Sequence, residues 1–167
     1  MANMIPISTV TVGSGGAATI TFSSIPQTYT DLVVKISGRT NYAGAFDNTN
    51  VQFNGSSTSY TLRFLYGNGA SNGSATDTKI YDYTDGNTNT ASTFSNSEFY
   101  IPNYTSANYK SVSNDSVLEN NGTSAVNYFG AGLWSNTAAI TSMVLAPLLG
   151  TSFQQYSTAT LYGIRKY

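Results

Sequence analysis

The sequence predicts an all-β protein, an antiparallel β-sandwich of about ten strands with no substantial helix. Three observations support this fold class. Ser, Thr and Asn account for 62 of the 167 residues, and these side chains favour strands and turns over helix interiors. Apolar and polar residues alternate with a period of two along much of the chain, as in half-buried strands. Helical patterns do not alternate with the strands, so we prefer a jelly roll to a parallel sheet.

The first two predicted strands form a hairpin at the start of the chain. They cover residues 7–12 and 17–24, and the Gly-Ser-Gly-Gly run at 13–16 can adopt the backbone angles of a hairpin loop. We therefore expect an N-terminal hairpin within residues 1–24.

The later strands follow from the same alternation. Leu32 and Ile36 point to the same side of a strand over residues 31–38, with Lys35 on the other side. Further strands are predicted at residues 51–53, 60–66, 97–101, 109–118, 125–134, 140–145 and 157–165.

One long segment, 67–96, lacks a continuous strand pattern. It is rich in Gly, Asn, Ser and Thr, and we predict an irregular loop region with one short strand at 78–83. The length of the chain fits one β-sandwich domain over residues 1–167.

Charge and composition argue against several classes of function. Seven basic and eight acidic residues give a net charge of −1, which is unlike the basic surface of a nucleic-acid-binding protein. No apolar run reaches the length of a membrane span, and residues 1–12 do not resemble a secretory signal. We therefore expect no nucleic-acid or membrane partner, and synthesis in a host cytoplasm.

The sequence offers little for catalysis or metal binding. His and Cys are absent, which excludes a Ser-His-Asp arrangement, imidazole ligands and thiolate ligands. A glycosidase pair could in principle be drawn from four carboxylates, although their spacing selects no pair. These carboxylates are Asp47, Glu98, Asp115 and Glu119. We expect no enzyme activity, no catalytic residue and no cofactor.

An acidic cluster has two interpretations. Asp77, Asp82 and Asp85 are followed by Gly86 and Asn87, and oxygen-rich turns of this kind suit a calcium ion. The spacing departs from that of an EF-hand, and ordinary turn formation explains the same residues. We expect no metal site.

The most distinctive side chains are the aromatic ones, with 13 Tyr, 8 Phe and 1 Trp. Most alternate inward and are core candidates, including Trp134. Others lie near loops or strand ends, where they could contact a partner, and apolar N-terminal residues could pack against a neighbour. The candidate interface residues are Met1, Ile5, Ile7, Tyr42, Phe46, Tyr104 and Tyr109.

Several short strings occur together in this chain: SGRT at 37–40, VQFNG at 51–55, LYGNG at 65–69 and STATLYGI at 157–164. With them the sequence resembles small virion surface proteins of tailed bacteriophages, notably cyanophages. The resemblance spans roughly residues 30–70 and 125–167 and identifies no active site. It implies a head decoration (cement) protein or a tail-fibre domain, with a β-sandwich or jelly-roll fold that is frequently trimeric.

Our leading hypothesis is a virion structural protein that binds the outer capsid surface and bridges major capsid proteins. Such a protein stabilises the lattice by mass action, and a homotrimer would match local three-fold positions. The alternative is a tail-fibre or receptor-binding module for host surface glycan, which a concave groove lined by aromatic and Asn side chains would favour. A polysaccharide-cleaving domain would need two carboxyl groups opposed across a cleft.

Overall fold

A computed structural model describes residues 3–122 and 125–165, and within these ranges the chain forms twelve β-strands and no helix. The strands are β1 (Asn3–Thr11), β2 (Ile20–Phe22), β3 (Asp31–Gly38), β4 (Phe46–Phe53), β5 (Tyr60–Gly67), β6 (Asn72–Asp77), β7 (Ile80–Asp85), β8 (Ser95–Ile101), β9 (Lys110–Leu118), β10 (Val126–Trp134), β11 (Met143–Pro147) and β12 (Thr158–Arg165).

The strands form two antiparallel sheets. The larger has eight strands in the order β1-β12-β3-β8-β9-β10-β5-β6, and the smaller has four in the order β2-β11-β4-β7. This confirms the predicted all-β, antiparallel, sandwich-like class, whereas the jelly-roll topology stays a prediction. The described ranges contain no helix long and apolar enough to cross a membrane.

The predicted N-terminal hairpin is wrong. Strand β1 pairs with β12 in the larger sheet, and β2 pairs with β11 in the smaller one. The linking segment pairs with the chain just before β12: the Val12 N–H donates to Ser157 O at 2.8 Å, and the Ala17 N–H donates to Phe153 O at 3.1 Å. These contacts carry the chain from one sheet to the other.

The segment 67–96 is more regular than predicted. The expected strand at 78–83 is present as β7 at Ile80–Asp85, but β6 at Asn72–Asp77 has no counterpart in the prediction. Strand β6 lies at the edge of the larger sheet, and most of its residues are exposed. Because both of its sides are largely exposed, it lacks the alternation that identifies a half-buried strand.

The interior contains two apolar clusters on either side of β7. In the first, the Trp134 ring lies 5.5 Å from Phe53, between ring centroids, and Ile80 belongs to the same cluster. In the second, Phe64 lies 5.2 Å from Tyr128. Adjacent residues of β7 point to opposite sides of the strand, so β7 contributes to both clusters.

Candidate functional site

The outer face of the eight-stranded sheet carries two neighbouring rows in which short, uncharged polar side chains predominate. Strand register aligns one row across all eight strands: Ser74, Leu65, Phe129, Asp115, Glu98, Lys35, Thr160 and Thr9. The neighbouring row consists of Asn72, Gly67, Asn127, Val117, Asn96, Ser37, Thr158 and Thr11. Ser, Thr and Asn predominate in the two rows, so hydroxyl and amide groups supply most of the polar contacts available there.

Three apolar side chains interrupt these two rows. Leu65 and Phe129 are directly paired across β5 and β10, and they are 61% and 59% exposed. Val117, on the adjacent strand β9, is 43% exposed. A hollow of about 420 Å³ lies beside the pair and is also lined by Ala75 and Ala131. We call Leu65, Val117 and Phe129 the outer-face patch, because exposed apolar residues grouped in this way mark contact surfaces.

Two of the candidate glycosidase carboxylates lie together on this face. Glu98 and Asp115 are cross-strand neighbours, and the Lys35 Nζ is 2.5 Å from the Glu98 Oε2. Burial raises the pKa of Asp115, as does the charge of Glu98, whereas Lys35 lowers it. The two carboxyl groups stand side by side on an open sheet rather than across a cleft, so this arrangement is unlike a glycosidase site.

The other two candidate carboxylates hold loops. Asp47 is fully buried and accepts hydrogen bonds from the N–H groups of Leu149 at 2.9 Å and Gly150 at 3.0 Å. Glu119 is exposed and accepts one from the Asn121 N–H at 2.8 Å. Both therefore have local structural roles.

The acidic cluster considered for calcium is divided among separate environments. Asp77 ends β6 and accepts the N–H of Lys79 at 3.1 Å, Asp82 is buried between the sheets, and Asp85 accepts a hydrogen bond from the Asn89 amide. No group of three or more Asp or Glu side chains in the described ranges could hold a metal ion. Turn formation accounts for Asp77.

Strand β7 is an edge strand whose main chain is bonded by side chains of the larger sheet. The Tyr81 carbonyl accepts hydrogen bonds from Asn114 Nδ2 at 2.8 Å and from the Tyr128 hydroxyl at 2.9 Å, and the Tyr83 N–H donates to Ser116 Oγ at 3.0 Å. We call Asn114, Ser116 and Tyr128 the β7 seam. It satisfies edge groups that would otherwise be buried without partners.

Asp82 is the most strongly perturbed carboxyl group beside this seam. Its Oδ1 accepts hydrogen bonds from the Thr49 N–H at 3.2 Å and the Thr84 hydroxyl at 3.1 Å, while Oδ2 is buried with no hydrogen bond to the described residues. Burial raises the pKa of Asp82 to about 7, against the opposing effects of Ser97, Thr84 and Thr49. The group therefore holds a proton at mildly acidic pH.

Arg39 organises a loop at the end of the sandwich where β3 ends. Its buried guanidinium donates to the carbonyl oxygens of Asn87, Asn89, Thr90 and Thr93 and to the Thr93 hydroxyl, at 2.9 to 3.3 Å. These bonds use both terminal nitrogens of the side chain, so Arg39 fixes the shape of the loop 86–94.

A polar hollow of about 340 Å³ opens above Arg39. The loop 86–94 forms one wall with Asn87 and Phe94, and the turn before β12 forms the other with Gln154, Gln155 and Tyr156. We call it the loop hollow. None of its lining residues is acidic. The lining combines amide and aromatic side chains with one arginine whose donors are already hydrogen-bonded to the loop.

Among the predicted interface residues, Tyr104 is wrong. Its side chain is fully buried, and its hydroxyl donates to the Pro26 carbonyl. Proximity to a loop in the sequence suggested exposure, but the ring packs in the larger apolar cluster. Tyr104 is therefore a core residue and offers no surface to a partner.

The other interface candidates are scattered. Tyr109 is 59% exposed, before β9. Tyr42 and Phe46 are half-buried, and Phe46 packs edge-on to Tyr83 at 6.2 Å. Ile5 and Ile7 are half-buried on β1, and Met1 lies outside the described residues. The structure does not gather these residues into one patch, and their role in an interface stays a prediction.

Sequence reasoning missed the residues that form the outer-face patch and the loop hollow. The signal for Leu65 was present, because a strand that buries Leu62 and Phe64 must turn Leu65 outward. For Arg39 and Tyr156 the local pattern held no comparable signal, since their neighbours in the hollow are distant along the chain.

Comparison of this chain with protein-family models, curated proteins and solved structures found no match. The outer face and the loop hollow are the two candidate functional surfaces of the described residues.

Proposed function

We propose that this protein is a non-enzymatic virion component, a decoration (cement) protein that binds the outer capsid surface and bridges major capsid proteins. The observation that carries the proposal is the outer face of the eight-stranded sheet. Eight strands about 4.8 Å apart and about eight residues long give a face of roughly 34 by 26 Å. That area, about 900 Å², is close to the roughly 800 Å² that each partner contributes to a standard interface.

The chemistry of this face suits repeated contact with a lattice. Short hydroxyl and amide side chains can exchange hydrogen bonds with water for hydrogen bonds with a partner, and they lose little conformational entropy. The outer-face patch of Leu65, Val117 and Phe129 supplies the apolar anchor that interfaces commonly contain. A copy that binds the assembled lattice, and not free capsid subunits, makes the assembled lattice more stable. A homotrimer is the expected oligomer.

The alternative proposal is a tail-fibre or receptor-binding module that recognises host glycan. The loop hollow favours it, because it combines exposed aromatic and amide side chains in a concave site. The two roles differ in position and copy number on a particle.

Cryo-electron microscopy of purified virus particles that contain this protein is the primary test. Decoration predicts many copies on the head, with the outer face of the larger sheet against the capsid. A few copies at the tail would overturn the decoration proposal in favour of the receptor-binding one.

Reconstitution provides a second test with matched variants. Particles stripped of this protein are mixed with the wild type, with Leu65→Ser/Phe129→Ser, or with Leu149→Ser, and bound protein is measured by co-sedimentation. Leu149 is 56% exposed and adjoins the smaller sheet, so it is a control of similar character. We expect the double variant to lose binding at an unchanged melting temperature. Equal binding by all three proteins would contradict the assignment of the outer face.

A further inference from the structure

We propose that the loop hollow is a binding site for a neutral carbohydrate. The site lies where β3 ends and where β8 and β12 begin, and it shares no lining residue with the outer-face patch. It does not depend on the lattice-binding proposal, and it names the ligand class for the receptor-binding alternative, which rests on the same hollow.

The floor of the hollow is held by hydrogen bonds within the protein. Arg39 is only 5% exposed, and its terminal nitrogens are bound to the carbonyl groups of the loop 86–94. The Asn89 side-chain amide donates a hydrogen bond to the Asp85 carboxyl group. Asp85 in turn pairs with Arg39 in an isolated β-bridge. A preformed site loses less free energy on binding than one that must become ordered.

The same contacts indicate a neutral ligand. The Arg39 donors already bind carbonyl oxygens, and the Asp85 carboxyl group lies beside the arginine, so the hollow offers no free cation for a phosphate or carboxylate. Gln154 Nε2 donates to Thr40 O and to Asn87 Oδ1, both at 2.9 Å, which fixes the orientation of that amide. Amide groups both donate and accept hydrogen bonds, as do sugar hydroxyls.

The rim presents an aromatic ring in an unusual backbone conformation. Tyr156 is 68% exposed at a φ of 73°, and Ser92, on the opposite wall, has a φ of 64°. A bulky residue at positive φ is uncommon, and such conformations concentrate at functional sites. The turn is held by the Tyr156 N–H, which donates to Val12 O at 2.9 Å. The exposed ring can stack on the apolar face of a sugar, with the Gln155 amide beside it.

Ligand-observed saturation-transfer NMR tests this site directly. The probes are methyl glycosides of neutral hexoses and N-acetylhexosamines, with methyl glucuronide as an anionic comparison. The proteins are the wild type, Tyr156→Ala and Tyr109→Ala, since Tyr109 is a similarly exposed tyrosine outside the hollow. We expect at least one neutral glycoside to bind, with affinity reduced about fivefold or more by Tyr156→Ala and unchanged by Tyr109→Ala.

Two further variants separate loss of contact from loss of fold. Tyr156→Asn suits the positive φ better than Ala does, and Gln155→Ala changes the rim without changing that turn. Both should weaken binding at an unchanged melting temperature. No binding by any neutral probe, binding of the glucuronide alone, or equal binding by the wild type and both Tyr156 variants would overturn the proposal. Failure of every probe would also remove the support that the loop hollow gives to the receptor-binding alternative, whereas the outer-face test of lattice binding is independent of these results.

Discussion

Asparagine side chains replace main-chain pairing at several loops of this protein. Asn41 Oδ1 accepts the N–H groups of Thr151 at 2.8 Å and Ser152 at 3.1 Å. Asn54 accepts the N–H of Thr141 at 2.8 Å and donates to Ala139 O at 2.8 Å. These bonds join loops that are far apart in sequence, and buried polar groups are costly without such partners. The abundance of Asn thus reflects loop attachment as well as turn formation.

Asp82 is expected to make folding stability depend on pH. Its pKa is raised by burial to about 7, whereas an unfolded chain ionises the same group near about pH 4. Between these values the folded protein retains a proton that the unfolded chain releases, so stability falls as pH rises through this window. Below this pH window, Asp82 makes its full contribution to the free energy of unfolding. Above the window that contribution is lost, and the loss is no more than about 4 kcal/mol.

The variant Asp82→Asn tests this expectation. The amide cannot ionise, so the free energy of unfolding of the variant should decline less steeply than that of the wild type between about pH 4 and about pH 7. The two slopes should differ by the contribution of one bound proton. Urea denaturation across this range measures the slope, and the exposed Glu119→Gln removes the same formal charge as a control. An Asp82→Asn slope equal to that of the wild type would show that Asp82 ionises normally.

At the scale of elements, β7 combines what sequence could and could not predict. The strand was predicted at 78–83 and lies at Ile80–Asp85, within two residues of that position. Its packing was not visible, because Asn114, Ser116 and Gly130 are on strands that follow it by some thirty residues or more. Polar residues that face inward weaken the strand pattern in the sequence. Here they form hydrogen bonds with the main chain of the edge strand β7.

Replacing Ser116 by Ala should destabilise the fold by about 1–3 kcal/mol, because the Tyr83 N–H would be left buried without its acceptor. Ser113→Ala, on the exposed side of the same strand, should change stability by no more than about 0.5 kcal/mol. Chemical denaturation of both variants measures the difference. Equal, small effects would mean that water or another group satisfies the Tyr83 N–H.

Gly130 tests the close approach of side chains beneath β7. A Cβ there would lie 2.7 Å from the Tyr128 hydroxyl and would also overlap the Asn114 Oδ1. Gly130→Ala should therefore cost about 1–3 kcal/mol through overpacking, whereas Gly13→Ala meets no atom within 4 Å and should be nearly neutral. If thermal unfolding shows equal stabilities, the seam must be able to rearrange around a methyl group.

At the scale of the molecule, sequence periodicity was a sound guide to strands and a poor guide to their partners. Alternation reports which side of a strand is buried, so it identified the all-β class and most strands. Pairing of β1 with β12 and of β2 with β11 depends on contacts between the two ends of the chain. The same limit applies to the candidate sites, since Leu65 pairs with Phe129, and Arg39 and Tyr156 line one hollow, only in the folded protein.

The predominance of uncharged side chains in the two aligned rows of the outer face leads to a prediction about salt. If the face binds a capsid lattice mainly through hydroxyl, amide and apolar contacts, screening has few charge pairs to weaken. Affinity for stripped particles should then change less than about threefold between about 50 mM and about 500 mM NaCl. Lys35→Gln/Glu98→Gln, which removes the ion pair on this face, should leave that dependence unchanged. Quantitative co-sedimentation measures both, and a steep fall in affinity with salt would show that charged groups dominate the contact.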